Sequence, residues 1–192
     1  PSVGKSSLIA RISAARPKIA DYPFTTLSPN LGVVKFGITD HFVVADVPGL
    51  IPGAHEGAGL GAQFLRHVER VKRIAHLVTV CPDEPGRDPI ADFEAIEREL
   101  ILHDEALSEV ERVIVLNRMD LPDVQDVREE LEAYAKEKGM PFFAVSAVTG
   151  QGVDALINHL GHVISVERAE AEVESSESEP RSAPELYTRP KS

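Results

Sequence analysis

A chain of 192 residues with 43% hydrophobic content is long enough for one domain with a proper core and too short for two large ones. Its formal charge of -11 argues against broad attachment to DNA or to an anionic membrane, because neutralising phosphate needs clustered Lys and Arg. One cysteine, Cys81, allows no internal disulfide, and with no apolar run long enough to cross a bilayer the cytoplasm is the expected compartment and a monomer the expected state.

The chain opens on Pro1-Ser2-Val3-Gly4-Lys5-Ser6, the later part of the phosphate-binding pattern G-x-x-x-x-G-K-[ST]; the pattern's first glycine and the strand before it lie outside the sequence, as in a piece of a longer protein. Gly4 lets the backbone approach phosphate without a Cβ, and a helix predicted over 5–15 aims its positive N-terminus at the anion. Residues 16–31 read as an irregular, Pro-containing segment. Val33 to Ile38 and Phe42 to Ala45, around a Thr39-Asp40 turn, predict an antiparallel hairpin that delivers Asp46 at its end. Gly49 to Gly61 is too rich in glycine for regular structure and leads to a helix with Phe64, Leu65, Val68 and Val71 on one face.

Strands at 74–80, 112–116 and 141–145 then alternate with helices marked by Phe93, Ile96 and Leu100, by Val124, Val127 and Leu131, and by Leu156, Leu160 and Val163. That alternation predicts an α/β fold of the P-loop NTPase kind, a mostly parallel sheet with helices on both faces. The domain is expected over 1–166. Residues 167–192, rich in Glu, Ser and Pro and poor in large apolar side chains, read as an acidic disordered linker.

Four further elements follow the phosphate loop in the order of a GTP-binding domain. Asp46-Val47-Pro48-Gly49 at a strand end suits a carboxylate holding Mg²⁺ through water and a Gly49 amide meeting the γ-phosphate. Asn117-Arg118-Met119-Asp120 follows another strand, and Asp120 can accept from the guanine ring N–H and exocyclic amine, a donor pair that adenine lacks. Ser146-Ala147 would offer an amide to the guanine oxygen. Thr25 and Thr26 lie where one hydroxyl would complete a metal shell only while the γ-phosphate is present.

Two longer stretches are more specific than these boxes: Lys18-Ile19-Ala20-Asp21-Tyr22-Pro23-Phe24-Thr25-Thr26-Leu27 with Pro29-Asn30-Leu31-Gly32, and Gly57-Ala58-Gly59-Leu60-Gly61-Ala62-Gln63-Phe64-Leu65-Arg66-His67. Over residues 1 to about 165 the chain resembles the GTPase domain of the Obg family, ribosome-associated bacterial GTPases, and Tyr187 to Lys191 is similar to the run-up to that family's C-terminal domain. The resemblance implies a Mg²⁺-dependent switch that hydrolyses GTP slowly to GDP, with the large ribosomal subunit as partner. It gives Pro1, Ser2, Val3, Gly4, Lys5 and Ser6 as phosphate loop and Ser6 and Thr26 as Mg²⁺ ligands. Phe24, Thr25, Thr26, Leu27 and Ser28 become switch one, and Asp46, Val47, Pro48 and Gly49 the head of switch two. Asn117, Arg118, Met119 and Asp120 with Ser146, Ala147 and Val148 become the base pocket, and Lys5, Thr26 and Gly49 the groups acting on the γ-phosphate. It also implies a glycine-rich N-terminal domain beyond this chain.

Four features of the sequence are departures or peculiarities. Arg118 stands where lysine is usual, and its planar guanidinium covers a base with different geometry. Leu50 stands where many small GTPases have a water-orienting glutamine, and Ser2 where K⁺-activated relatives have asparagine. The connection Cys81-Pro82-Asp83-Glu84-Pro85-Gly86 is shorter than the family's. Leu50 keeps open a rival function, a guanine-nucleotide sensor for GDP or an alarmone that binds without turnover. Arg66, Arg70 and Arg73 read as one helix face, either solvated or meeting RNA; His159 and His162 have metal-ligand spacing without a third ligand. The strand before a phosphate loop is central to such a sheet, so its absence predicts a gap between neighbouring strands and easier unfolding than with it restored.

Overall fold

The computed structural model describes residues 3–14, 18–19, 30–45, 71–80, 86–103 and 105–178. A short strand β1 (Lys18–Ile19) pairs antiparallel with β2 (Asn30–Phe36), which pairs antiparallel with β3 (Asp40–Ala45) in the register Val33 to Val43. The strands β4 (Arg73–Val78), β5 (Glu111–Leu116) and β6 (Phe142–Ala144) form a parallel sheet with β5 in the middle. The five described α-helices are α1 (Lys5–Ile12), α2 (Pro89–His103), α3 (Pro122–Asp126), α4 (Arg128–Glu137) and α5 (Val153–Ser178).

The layering follows from the alternation of side chains along β5. Val113 and Val115 pack with Leu8 and Ile12 of α1, Val34 and Phe42 of the hairpin, and Leu156 and Leu160 of α5. Ile114 and Leu116 point the other way, onto Val78, Phe93, Val124, Leu131 and Ala135. A strand buried on both faces reads as a continuous apolar run, and these four residues are all at most 1% exposed. No ladder joins the two sheets among the described residues. They meet through side chains instead, in the cluster under α1 and α5. There the Phe36 ring lies against Gly161 of α5, where a Cβ would collide with it.

The expected layers are present, with four local differences. Within the segment expected as irregular, Lys18 and Ile19 form an edge ladder with Leu31 and Asn30. The helix expected around Val124 to Leu131 is two helices, broken at Val127, which caps both. Arg73 opens β4 rather than lying on a helix face; its guanidinium pairs with Glu111 at 3.1 Å and Glu167 at 2.5 Å. Finally α5 continues to Ser178, so residues 167–178, expected as disordered linker, are helical. Ala and Glu are good helix formers, and the first turns of this extension are held to the domain by Glu167 on Arg73 and by Arg168 donating to the His41 carbonyl at 3.1 Å. Residues 179–192 lie outside the described residues. Among the described residues no helix is long and apolar enough to cross a membrane.

Candidate functional site

β5 and β6 run parallel, so the loops leaving their C-terminal ends, at Asn117 and at Val145-Ser146, lie side by side. This edge is where open parallel sheets place ligands. The loops are stitched together by backbone bonds: the Val145 amide donates to the Leu116 carbonyl at 2.7 Å and the Met119 amide to the Val145 carbonyl at 3.0 Å.

Asn117 is the centre of the arrangement. It is 1% exposed, and its carboxamide uses both ends: Nδ2 donates to the Val3 carbonyl at 2.8 Å, and Oδ1 accepts from the Ala147 amide at 3.0 Å. One side chain therefore ties the phosphate loop to the loop after β6. Its own carbonyl accepts from the Thr79 hydroxyl at 3.1 Å, a partner at the end of β4 that the sequence did not single out.

Gly4 has φ 82°, a left-handed conformation that favours glycine, and a Cβ there would strike the Asn117 Nδ2. Gly4 is also the N-cap of α1, makes no side-chain cap to the helix, and leads into a first turn with half-buried Lys5 and exposed Ser6. Pro1 and Ser2 lie outside the described residues, as do Phe24 to Ser28 and Asp46 to Gly49 with Leu50, and Arg66, Arg70 and Cys81.

At the other end, fully buried Ser146 donates its hydroxyl to Oδ1 of exposed Asp120, and the same hydroxyl accepts from the Thr149 amide at 3.1 Å. Ser146 thus aims the Asp120 carboxylate. Arg118 has φ 70°, the only described residue other than glycine with a positive φ, so this turn is held in a strained conformation beside the two loops. Met119 turns inward: at 4% exposure its side chain belongs to the core, and its carbonyl accepts from Gln125 at 3.0 Å. The Ser146 amide donates to the Gln151 carbonyl and the Ala147 amide to Asn117, so both amides expected to face a guanine oxygen already have protein acceptors.

Arg11 was not foreseen. From the last turn of α1 it donates through Nη1 to the Val148 carbonyl at 3.1 Å and through Nη2 to the Thr149 carbonyl at 3.0 Å. Its position in the pattern of α1 marks it only as a polar helix residue. His159, by contrast, lies against the Phe143 ring, centroids 5.0 Å apart, and burial lowers its pKa.

Comparison with known proteins agrees with this geometry. Residues 1–147 match the family described as 50S ribosome-binding GTPase. The chain is 51% identical over 160 residues to GTPase Obg of Alkaliphilus oremlandii, covering 83% of this chain and 37% of that protein. It is 54% identical over 156 residues to GTPase Obg of Solibacter usitatus, covering 81% and 46%. The chain thus spans less than half the length of these relatives. Among solved structures, a mutant of S. thermophilus NFeoB bound to GDP superposes with TM-score 0.59 at 22% identity over 84% of this chain and 59% of that one. The G domain of the T. maritima FeoB iron transporter gives 0.57 at 20% identity over 81% and 88%. At such identity these structures establish the fold, a P-loop G domain. With the family match over three quarters of the chain and 51% and 54% identity to GTPase Obg proteins over the 160 and 156 aligned residues, the chain belongs to the Obg family of 50S ribosome-binding GTPases.

Proposed function

We propose that this chain binds GTP and GDP and hydrolyses GTP slowly, as a switch acting on the large ribosomal subunit in the cytoplasm. The observation that supports it most is the Asn117 bridge, which joins a phosphate loop to a loop whose Ser146 aims Asp120. A nucleotide needs those two ends in fixed register. The Asp120 carboxylate accepts from guanine's ring N–H and exocyclic amine, and adenine leaves it unpaired. A mismatch of that kind costs several kcal/mol of selectivity. The guanine oxygen competes with the Asn117 carboxamide for the Ala147 amide or takes the neighbouring Val148 amide.

The phosphate end fits an anion and its metal: Gly4 is left-handed and makes no side-chain cap to α1, and Ser6 is exposed in the first turn. Ser6 and Thr26 would hold Mg²⁺, which when bound neutralises charge on the β- and γ-phosphates. Lys5 and the loop amides stabilise the negative charge that builds on the β–γ bridge as water attacks γ-phosphorus in line, and Thr26 and Gly49 sense whether the γ-phosphate is present. Leu50 can neither orient nor accept a proton from that water, so intrinsic turnover is slow.

A fluorescent GDP analogue titrated in Mg²⁺ buffer, with GTP and ATP as competitors, followed by phosphate release over many turnovers, tests both parts. Displacement by GTP but not ATP, with release abolished in Lys5→Ala and Ser6→Ala, is expected. Binding without turnover would leave a nucleotide sensor, the reading Leu50 favours; turnover at wild-type rate in both variants would sink the mechanism.

A further inference from the structure

We propose that Arg11 is a positioning residue for the guanine base, holding the 146–150 loop to the phosphate-binding helix; this rests on the nucleotide site proposed above. The two carbonyls it takes, those of Val148 and Thr149, are consecutive, and each receives a separate guanidinium nitrogen. This is the two-pronged geometry that a planar guanidinium provides and an ammonium does not. At its start the loop is tied through the Ala147 amide to Asn117, and so to the Val3 carbonyl; beyond that it closes on itself, with the Gly150 amide on the Ser146 carbonyl at 2.8 Å and the Thr149 amide on the Ser146 hydroxyl. Those bonds shape the loop but do not anchor it to the helix that carries Lys5 and Ser6. Arg11 does so 137 and 138 residues away in sequence.

Gly150 supports the same assignment. It has φ 90°, and a Cβ on it would run into the Arg11 guanidinium, so the glycine leaves room for the fork to lie flat on the loop. Because Ser146 both receives this loop and aims Asp120, the position of α1 is transmitted to the carboxylate that reads guanine. A blander role exists for a cation in the last turn of a helix, favourable interaction with the helix dipole. Lysine preserves that role and loses the fork, which separates the two.

The test compares wild type, Arg11→Lys and Arg11→Gln for dissociation of GDP and of inosine diphosphate, which lacks the exocyclic amine that meets Asp120. Loss of two charged, exposed hydrogen bonds is expected to speed GDP release up to about tenfold. Inosine diphosphate should be affected less, so that the preference for guanine narrows, and Lys should behave like Gln. Wild-type release rates in both variants, rescue by Lys, or equal weakening of both nucleotides alongside a lowered Tm would overturn the assignment. Failure of the wild-type chain itself to bind GDP would overturn the nucleotide reading and this role with it.

Discussion

The side chain of Asn117 reaches the backbone carbonyl of Val3, 2.8 Å away and 114 residues earlier in the chain, so two loops at the same sheet edge share one buried carboxamide. Asn117→Ala strands two groups at once, the Val3 carbonyl and the Ala147 amide. With about 1–3 kcal/mol for a buried group left without its partner, a loss of about 2 kcal/mol in the urea denaturation of the nucleotide-free chain is expected. Asn117→Asp keeps the acceptor for Ala147 but turns a carboxylate oxygen onto the Val3 carbonyl, so it should fall at least as far. Unchanged midpoints in both variants would show that the bridge contributes nothing to the fold.

Glu97 sits between His76 and Arg112, with Oε1 3.3 Å from His76 Nδ1 and Oε2 2.8 Å from Arg112 Nε, while the Arg112 side chain is almost wholly buried. Burial pushes the Glu97 carboxyl up, but the hydrogen bond with His76 and the Arg112 guanidinium outweigh it, and the net pKa lies below the usual glutamate value of 4.5. A depressed carboxylate stabilises the fold above its unfolded pKa and loses that contribution as pH falls through the folded value. Glu97→Gln is therefore expected to cost about 2 kcal/mol at pH 7, from loss of charged hydrogen bonds, and progressively less below pH 4.5. Parallel stability curves for the two proteins from pH 7 to pH 3 would count against this.

Much of the domain is legible in the sequence because its signals are local. The apolar run Val113 to Leu116 announces a strand buried on both faces, and Gly4-Lys5-Ser6 announces a helix start. The Asn117 to Asp120 box follows β5 as its position predicts. What escaped depends on distant partners. Lys18 and Ile19 become a strand only because Leu31 and Asn30 lie beside them. Arg73 looks like one more cation after Arg66 and Arg70 until Glu111 and Glu167 come to it from β5 and α5. The same contact explains why α5 outlasts its apolar stripe. Composition reads Glu167 to Ser178 as too polar to order, yet ordering needs only helix propensity once the first turn is pinned. Arg11 escaped for the same reason, its two acceptors being main-chain atoms that no residue identity marks.

The contact between Gly161 and the Phe36 ring gives a stability test away from the nucleotide. Replacing glycine by alanine within a helix gains up to about 1 kcal/mol from propensity. Here the new methyl meets the ring, and overpacking a core typically costs about 1–3 kcal/mol, so the net effect of Gly161→Ala is expected to be a loss of about 1 kcal/mol. Phe36→Leu in the same chain should relieve the clash and recover part of it. A stabilised Gly161→Ala protein would mean that the ring moves aside at no cost.

Arg118 offers the opposite balance of fold against function. Its φ of 70° costs an L-residue about 1–2 kcal/mol, whereas glycine adopts it freely at an entropic cost of about 0.5–1 kcal/mol. The difference favours Arg118→Gly, which should leave the nucleotide-free chain as stable as wild type or up to about 1 kcal/mol more so. The guanidinium stem expected to cover the base is lost, however, and on that reading GDP affinity should fall. Arg118→Lys keeps the strain and restores the side chain usual at this position, so it should hold stability constant and bind GDP at least as well. Urea midpoints and GDP titrations on the three chains separate the effects. Lower stability with unchanged affinity in Arg118→Gly would assign Arg118 to packing, and its strained backbone would then have no connection with the base.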